Sequence, residues 1–172
     1  LLAGNFGVWT EANIYFAAFR IPDLVYNLLI VGGLSIAFLP IFSEYYQKEK
    51  TLGWEMTNYI LNVFLFFLIL ISLILFIFTP QLIKFITPGF TFAQKTQTVI
   101  LTRLMFLSPI FFGLSSIFSS ILQYFNRFLV YALCPIFYNL GIIFGILVLA
   151  PKFGILGVGI GVILGALFHW LI

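Results

Sequence analysis

The stretch that decides the fold is residues 60–78, ILNVFLFFLILISLILFIF, in which Asn62 and Ser72 are the only polar side chains among nineteen residues. A helix of about 20 apolar residues crosses the ~30 Å hydrocarbon core of a bilayer. Backbone polar groups in lipid must be satisfied within the segment, so such a run forms a helix. The stretch lacks the alternation of apolar and polar residues that a membrane β-barrel requires. It therefore predicts a transmembrane helix.

The composition of the whole chain agrees with a membrane protein. Of its 172 residues 63% are hydrophobic and 8% are charged, whereas soluble domains carry about 25% charged residues. There are too few polar groups for a water-facing surface or for a disordered chain. The net charge is +3 and the basic residues stand singly, so no nucleic-acid partner is expected.

Charged residues mark where further spans begin and end, because uncharged stretches of at least twenty residues separate them. We predict an all-α fold, a polytopic membrane helix bundle with about five transmembrane helices. The predicted helices are 11–46, 53–86, 94–124, 128–150 and 153–172, with connections at 45–53, 79–95, 125–127 and Pro151–Lys152. The chain starts without methionine and stops inside an apolar run, so residues 1–172 are expected to be part of a longer membrane protein, truncated at both ends.

The first predicted helix carries an unusual polar stripe. Asn13, Arg20 and Asn27 recur every seven residues, and Asp23 follows Arg20 by three, so all four share one side of a helix. An arginine in the membrane costs about 2.5–3.5 kcal/mol on insertion scales and should face the bundle interior or a wet cavity. We predict that the stripe lines a cavity for an anionic substrate. An Arg20–Asp23 ion pair, or a charge that reaches the interface, is the structural alternative.

Two features could let this helix bend. Pro22 lies inside it and removes a backbone donor, which favours a kink. Gly32 and Gly33 form a second weak point. Broken helices are tolerated in membranes where the backbone lines a cavity, so these residues are candidate hinges.

Two other groups of residues are candidates for function or packing. Arg103 precedes the uncharged part of the third helix; we consider it as a substrate contact or as an interfacial anchor. Gly157, Gly161 and Gly165 recur every four residues in the last helix, a spacing that lets helices approach closely. Packing within the bundle is the simplest interpretation, and a dimer seam or a sliding face are the alternatives.

The sequence does not favour an enzyme. His169 is the only histidine, which excludes a cluster of histidine metal ligands. The five acidic residues lie at or near span ends without a paired motif, and metal-dependent transferases need clustered acids. We therefore expect no catalytic residues, no metal and no cofactor.

Several motifs, in order along the chain, resemble the MurJ (MviN) lipid II flippases. The matching stretches are FAAFRIPDL at 16–24, GGLSIAFLPIFSEY at 32–45, TPGF at 87–90, LTRLMF at 101–106, NRF at 126–128, Pro135 with Asn139, and the glycines from Gly157 to Gly165. Together they cover nearly the whole chain.

The resemblance implies a fold and a function. Members of this family look like fourteen-helix, two-lobe proteins of the multidrug/oligosaccharidyl-lipid/polysaccharide exporter superfamily, and residues 1–172 would supply about spans two to six of the first lobe. The implied function is translocation of the undecaprenyl-diphosphate-linked muropeptide, lipid II, across the bacterial inner membrane for cell-wall biogenesis. The implied partners are this substrate and membrane lipids.

The sequence departs from the family pattern at four positions. Asn13 stands where the family commonly has Asp, Tyr26 where it has Arg, Val31 where it has Glu, and His169 where it has Gln. These changes leave Arg20 as the main cavity cation. The alternatives are a polysaccharide-lipid flippase or drug exporter of the same superfamily, or a membrane enzyme that acts on lipid-linked sugars.

Overall fold

A computed structural model describes residues 11–28 and 35–172. In these residues the secondary structure is helical, with turns between the helices. The helices are α1 (Ala12–Val25), α2 (Ser35–Lys48), α3 (Lys50–Ile86), α4 (Phe92–Met105), α5 (Leu107–Tyr124), α6 (Phe128–Phe144), α7 (Ala150–Phe153) and α8 (Ile155–Leu171). The predicted hinge residues Gly32 and Gly33 lie outside the described residues.

Three stretches are long and apolar enough to cross a membrane, Lys50–Ile86, Phe92–Tyr124 and Phe128–Phe153, and α8 is a shorter apolar helix. The 37 residues of α3 extend about 55 Å at 1.5 Å per residue, which exceeds the hydrocarbon thickness, so its ends reach the headgroup region. The predicted all-α membrane bundle is confirmed.

The breaks between helices are shorter than the sequence predicts. Glu49 alone, with an extended backbone, separates α2 from α3, where a connection over 45–53 was expected. The connection expected at Pro151–Lys152 is wrong, because α7 includes both residues and the chain turns at Gly154. Gly154 has a φ of 58°, a conformation that favours glycine, whereas Pro151 fits the first turn of a helix.

Aromatic contacts show which connections lie at the same end of the bundle. Phe42 and Tyr46 of α2 lie 5.2 and 5.4 Å, between ring centroids, from Tyr124 at the end of α5. The turn after α2 and the turn after α5 are therefore neighbours. At this end Lys48 Nζ donates to Glu44 Oε1 over 2.7 Å, which lowers the pKa of the Glu44 carboxyl and raises that of Lys48.

The packing of α1 determines which of its faces stays open. One face of α1 is buried. Ile14 and Ala18 on this face belong to a core cluster with residues of α4 and α8. Ile21 and Val25 belong to a second cluster with residues of α3. Away from this packed face, Asn13, Phe16, Arg20 and Leu24 are exposed among the described residues.

Prolines inside the spans release backbone carbonyls, and neighbouring side chains satisfy two of them. Pro109 cannot donate to the Met105 carbonyl one turn earlier, and Ser108 Oγ donates to that oxygen over 2.7 Å. Pro80 likewise releases the Phe76 carbonyl, and Arg103 Nε of α4 donates to it over 3.2 Å. Pro109 lies just after the break between α4 and α5 at Phe106. The hydrogen bond beside Pro80 connects α4 to α3.

The chain continues from α6 through a π-helical segment, Gly145–Leu149. Glycines form a close seam between α8 and the stretch made of α6 and this segment. A Cβ built on Gly161 would lie 2.5 Å from Gly145 Cα, and a Cβ on Gly145 would lie 2.6 Å from Gly161 Cα. The backbones of Gly141 and Gly165 meet in the same way, and Gly157 packs on the backbone of Leu149. The three predicted glycines thus lie against the neighbouring segment of the same chain, and a hinge or sliding role for them stays a prediction.

We expect Gly161→Ala to destabilise the protein by about 1–3 kcal/mol, the usual cost of overpacking, because the added methyl group meets backbone that cannot rotate away. Gly89→Ala is the matched control, since a Cβ there meets nothing within 4 Å. Thermal unfolding of the detergent-solubilised protein measures both. Equal unfolding temperatures for Gly161→Ala and wild type would contradict the seam.

Candidate substrate cavity

A cavity of 340 Å³ lies between α1, α5, α6 and α8. Its polar lining consists of the side chains of Asp23, Tyr26, Ser108, Tyr138 and His169. Its apolar lining consists of Phe19, Pro22, Pro109, Phe112 and Pro135. Among these lining residues Asp23 is the one acid, and the lining contains no lysine or arginine.

A second cavity of 350 Å³ adjoins the first, because both are lined by Tyr26, Phe112, Pro135 and His169. It adds a group of polar side chains, Ser116, Ser119, Ser120, Gln123 and Tyr131. The two compartments together form one cleft, named here the polar cleft after the carboxyl, hydroxyl, amide and imidazole groups of its lining. Such a cleft can offer hydrogen bonds to a polar ligand.

His169 is fixed at the boundary of the two compartments by Ser115. Ser115 Oγ donates to the His169 carbonyl over 3.0 Å and lies 2.7 Å from His169 Nδ1. A hydroxyl has a single proton, so a hydroxyl that donates to the carbonyl must accept at the ring nitrogen. In a neutral imidazole ring, this arrangement puts the hydrogen on Nδ1 and leaves Nε2 as an acceptor.

Phe112 of α5 organises the aromatic wall of the cleft. Its ring centroid lies 5.0 Å from that of Tyr26, 5.0 Å from that of Tyr138 and 5.3 Å from that of His169. The interplanar angles, 56–78°, are tilted or edge-to-face arrangements that aromatic pairs favour. One side chain thus connects α1, α6 and α8 at the cleft.

The structure divides the predicted polar stripe of α1. Asp23 lines the cleft, whereas Asn13 and Arg20 line a separate pocket of 370 Å³ against the turn Thr87–Phe90. Asn27 is exposed, and its Nδ2 donates to the Asp23 carbonyl over 2.9 Å. Among the described residues no ion pair joins Arg20 to Asp23.

Arg20 lies outside the packed interior of the described bundle, and its predicted place in a substrate cavity stays a prediction. It is exposed, because the apolar face of α1 is the one that packs against the other helices. Arg20 makes no hydrogen bond or ion pair with any residue that the structure describes.

Arg103 lies away from both the cleft and Arg20. Its guanidinium carbon sits 4.9 Å from the centroid of the Phe76 ring, in addition to the hydrogen bond to the Phe76 carbonyl. It lines grooves between α3 and α4 instead of the cleft. The two candidate cations from the sequence thus belong to different surfaces.

The sequence did not reveal most of the cleft lining. In particular, it did not show that Tyr26, Tyr138 and Gln123 are polar groups of one site. The available signal was the set of serines in α5, Ser115, Ser116, Ser119 and Ser120, which recur at helical spacing in an apolar segment. That spacing also fits close packing between helices. Only the arrangement of α1, α6 and α8 around α5 identifies it as a cavity wall.

Comparison with known proteins agrees with the geometry. The family described as "Lipid II flippase MurJ" matches residues 2–172. The chain belongs to the MurJ family. It is similar to a probable lipid II flippase MurJ of Buchnera aphidicola subsp. Acyrthosiphon pisum, at 34% identity over 84% of this chain and 29% of the relative. It is also similar to the lipid II flippase MurJ of Thermosipho africanus, at 30% identity over 97% of this chain and 34% of the relative.

A solved structure of the MurJ family shares the fold. The structure titled "Lipid II flippase MurJ, inward closed conformation" matches 99% of this chain and 36% of its own, with a TM-score of 0.83 and 28% identity. The chain thus spans about a third of the length of its MurJ relatives. Family membership and the apolar helices identify a multi-pass membrane protein.

We expect Ser115→Ala to destabilise the protein by about 0.6 kcal/mol, the average for a hydrogen bond between membrane helices, and by no more than the largest such value, ~1.7 kcal/mol. The variant removes both contacts of Ser115 with His169. Ser119→Ala is the matched control, because Ser119 lies in the same helix and is also buried. It should destabilise the protein less than Ser115→Ala does. Thermal unfolding in detergent compares the two variants. A larger loss from Ser119→Ala than from Ser115→Ala would contradict the assigned role.

Proposed function

We propose that this chain is part of a flippase that moves lipid II across the bacterial inner membrane during peptidoglycan synthesis. The match of the MurJ family to residues 2–172 carries this proposal, and the shared fold supports it. Residues 1–172 would form about spans two to six of the first of two lobes in a fourteen-helix transporter. Transport by alternating access requires no covalent step, so the proposed protein is not an enzyme.

The uncovered face of α1 supports a role in substrate binding. Phe16 and Leu24 are 60% and 59% exposed, and they flank Arg20. A membrane helix with a guanidinium that lacks a protein partner requires an anion or water beside it. A diphosphate supplies that anion through charge-assisted hydrogen bonds. We therefore place the lipid II diphosphate beside Arg20 and Asn13, with the rest of the transporter on the other side of this face.

The polar cleft complements this assignment. Asp23 is its one acid and repels phosphate, so the diphosphate stays on the Arg20 side of α1. The tyrosines, serines, Gln123 and His169 offer hydrogen bonds that suit uncharged sugar and amide groups. In this arrangement Asp23 and Asn27 lie between the diphosphate site beside Arg20 and the polar cleft that binds the sugar and amide groups. Pro22 is the point at which α1 would bend.

Arg20→Ala in the full-length protein should abolish or strongly reduce lipid II flipping, because the anion loses its charged partner. Arg20→Lys should retain part of the activity, since it keeps the charge and loses the paired donors. Growth after depletion of the resident flippase and a flipping assay in vesicles measure the effect. Arg127→Ala is the matched control, since Arg127 is also exposed but lies in the turn between α5 and α6.

Three outcomes would separate the alternatives. Full rescue by Arg20→Ala, at wild-type expression, would refute the assigned site. Flipping of a polysaccharide-linked lipid by the wild-type protein, without flipping of lipid II, would favour the related polysaccharide-lipid transporter. A chemically changed lipid product would favour a membrane enzyme.

A further inference from the structure

A basic groove lies between α3 and α4 on the surface of the bundle, away from the polar cleft. It has a volume of 610 Å³, and its lining includes three cations, Lys84, Lys95 and Arg103. The remaining lining residues are Pro80, Phe92, Thr96, Val99 and Ile100. None of the lining residues is an acid.

The positive charge of this groove is not neutralised within the described part of the chain. The sequence contains no Asp or Glu after Glu55. Lys84 and Lys95 make no hydrogen bond or ion pair with any described residue. Three cations that share one groove repel one another unless an anion lies between them.

Arg103 is held in a fixed position at the deeper end of the groove. Its Nε donates to the Phe76 carbonyl that Pro80 leaves without a helical donor, and its guanidinium lies over the Phe76 ring. The other N–H groups of the guanidinium are not needed for this contact. A charge positioned in this way can bind an oxyanion with little loss of side-chain entropy.

An apolar groove of 600 Å³ continues from the basic one, and the two share Ile100 and Arg103. Its lining comes from α3, α4, α5 and α8 and is apolar except for Ser72 and Arg103: Ile69, Leu73, Phe76, Ile100, Leu104, Phe106, Leu107, Ile110, Leu156 and Ile160. Lys84 lies eight residues beyond Phe76 along α3, or about 12 Å nearer the headgroup region. Lys84 and Lys95 therefore line only the basic part, Arg103 lies where the two grooves meet, and the apolar slot continues from there away from the headgroup region.

We propose that this combined groove, named here the lipid groove, binds an anionic diacyl phospholipid of the surrounding bilayer. The phosphate lies among Lys84, Lys95 and Arg103, and an acyl chain lies along Ile100 and Leu104 toward α8. The charge pattern fits such a lipid, because cations at the headgroup level attract anionic lipids. An extended peptide fits poorly, since the apolar slot offers few partners for its backbone groups. The proposal does not depend on the flippase function.

Native mass spectrometry of the full-length protein in detergent tests the headgroup part. The protein is titrated with phosphatidylglycerol and, separately, with zwitterionic phosphatidylcholine of the same acyl chains. We expect phosphatidylglycerol to bind more tightly than phosphatidylcholine. Lys84→Gln/Lys95→Gln should weaken phosphatidylglycerol binding about 30-fold, which corresponds to about fivefold for each basic residue removed. Arg103 is left unchanged, because its contact with Phe76 also stabilises the fold.

The matched control is Lys50→Gln/Lys152→Gln, which removes the same charge from exposed positions outside the groove. It should bind phosphatidylglycerol as wild type does. Equal affinity for the two lipids, an unchanged Lys84→Gln/Lys95→Gln variant, or an equal loss in the control would each overturn the proposal. Competition by millimolar inorganic phosphate that removes all bound lipid would also overturn it, because the apolar slot would then contribute nothing.

Ile100→Trp tests the acyl-chain part without a change in charge, because Ile100 lines both grooves and is 49% exposed. We expect it to displace the lipid and to reduce phosphatidylglycerol binding at least tenfold. Ile74→Trp is the control, at a position of α3 that is 45% exposed and lines neither groove. Unchanged binding by Ile100→Trp, or a groove already covered by another segment of the full-length protein, would refute the proposal.

Discussion

The structure depends on one requirement of the bilayer, that every backbone carbonyl within it needs a donor. Pro80 and Pro109 each leave one carbonyl without its helical donor, and a side chain donates to that carbonyl instead. Ser108 donates to the Met105 carbonyl beside Pro109, and Arg103 donates to the Phe76 carbonyl beside Pro80. The second contact joins α3 and α4 and fixes the guanidinium of Arg103 in the lipid groove, so the loss of one helical hydrogen bond produces a tertiary contact.

The close seam between α6 and α8 has a second consequence for the site. Gly141, Gly145 and Gly161 allow the two backbones to touch, and this approach brings Tyr138 of α6 and His169 of α8 to one cavity. Bulkier residues in the seam would separate the two walls of the cleft. The geometry of the polar cleft therefore depends on the packing of glycines, which contribute no functional side chain themselves.

The charges of the chain are separated over the surface of the bundle. Asp23 faces the polar cleft, Arg20 lies outside it beside the turn Thr87–Phe90, and the cations of the lipid groove lie between α3 and α4. Each charge has a different environment, which fits separate tasks for the substrate and for the surrounding lipid. The sequence could not show this division, since Arg20 and Asp23 are only three residues apart.

The sequence by itself determined the helical membrane fold, most of the span positions and the family, because apolar length, charged boundaries and ordered motifs are local properties of the chain. The tertiary structure alone decided which face of α1 is packed, that Arg20 stays exposed and that Arg103 contacts Phe76. It also gathered Tyr26, Tyr138, His169 and the serines of α5 into one cleft. The physical reason is that helical periodicity places residues on a face, whereas only the neighbouring helices determine what that face meets.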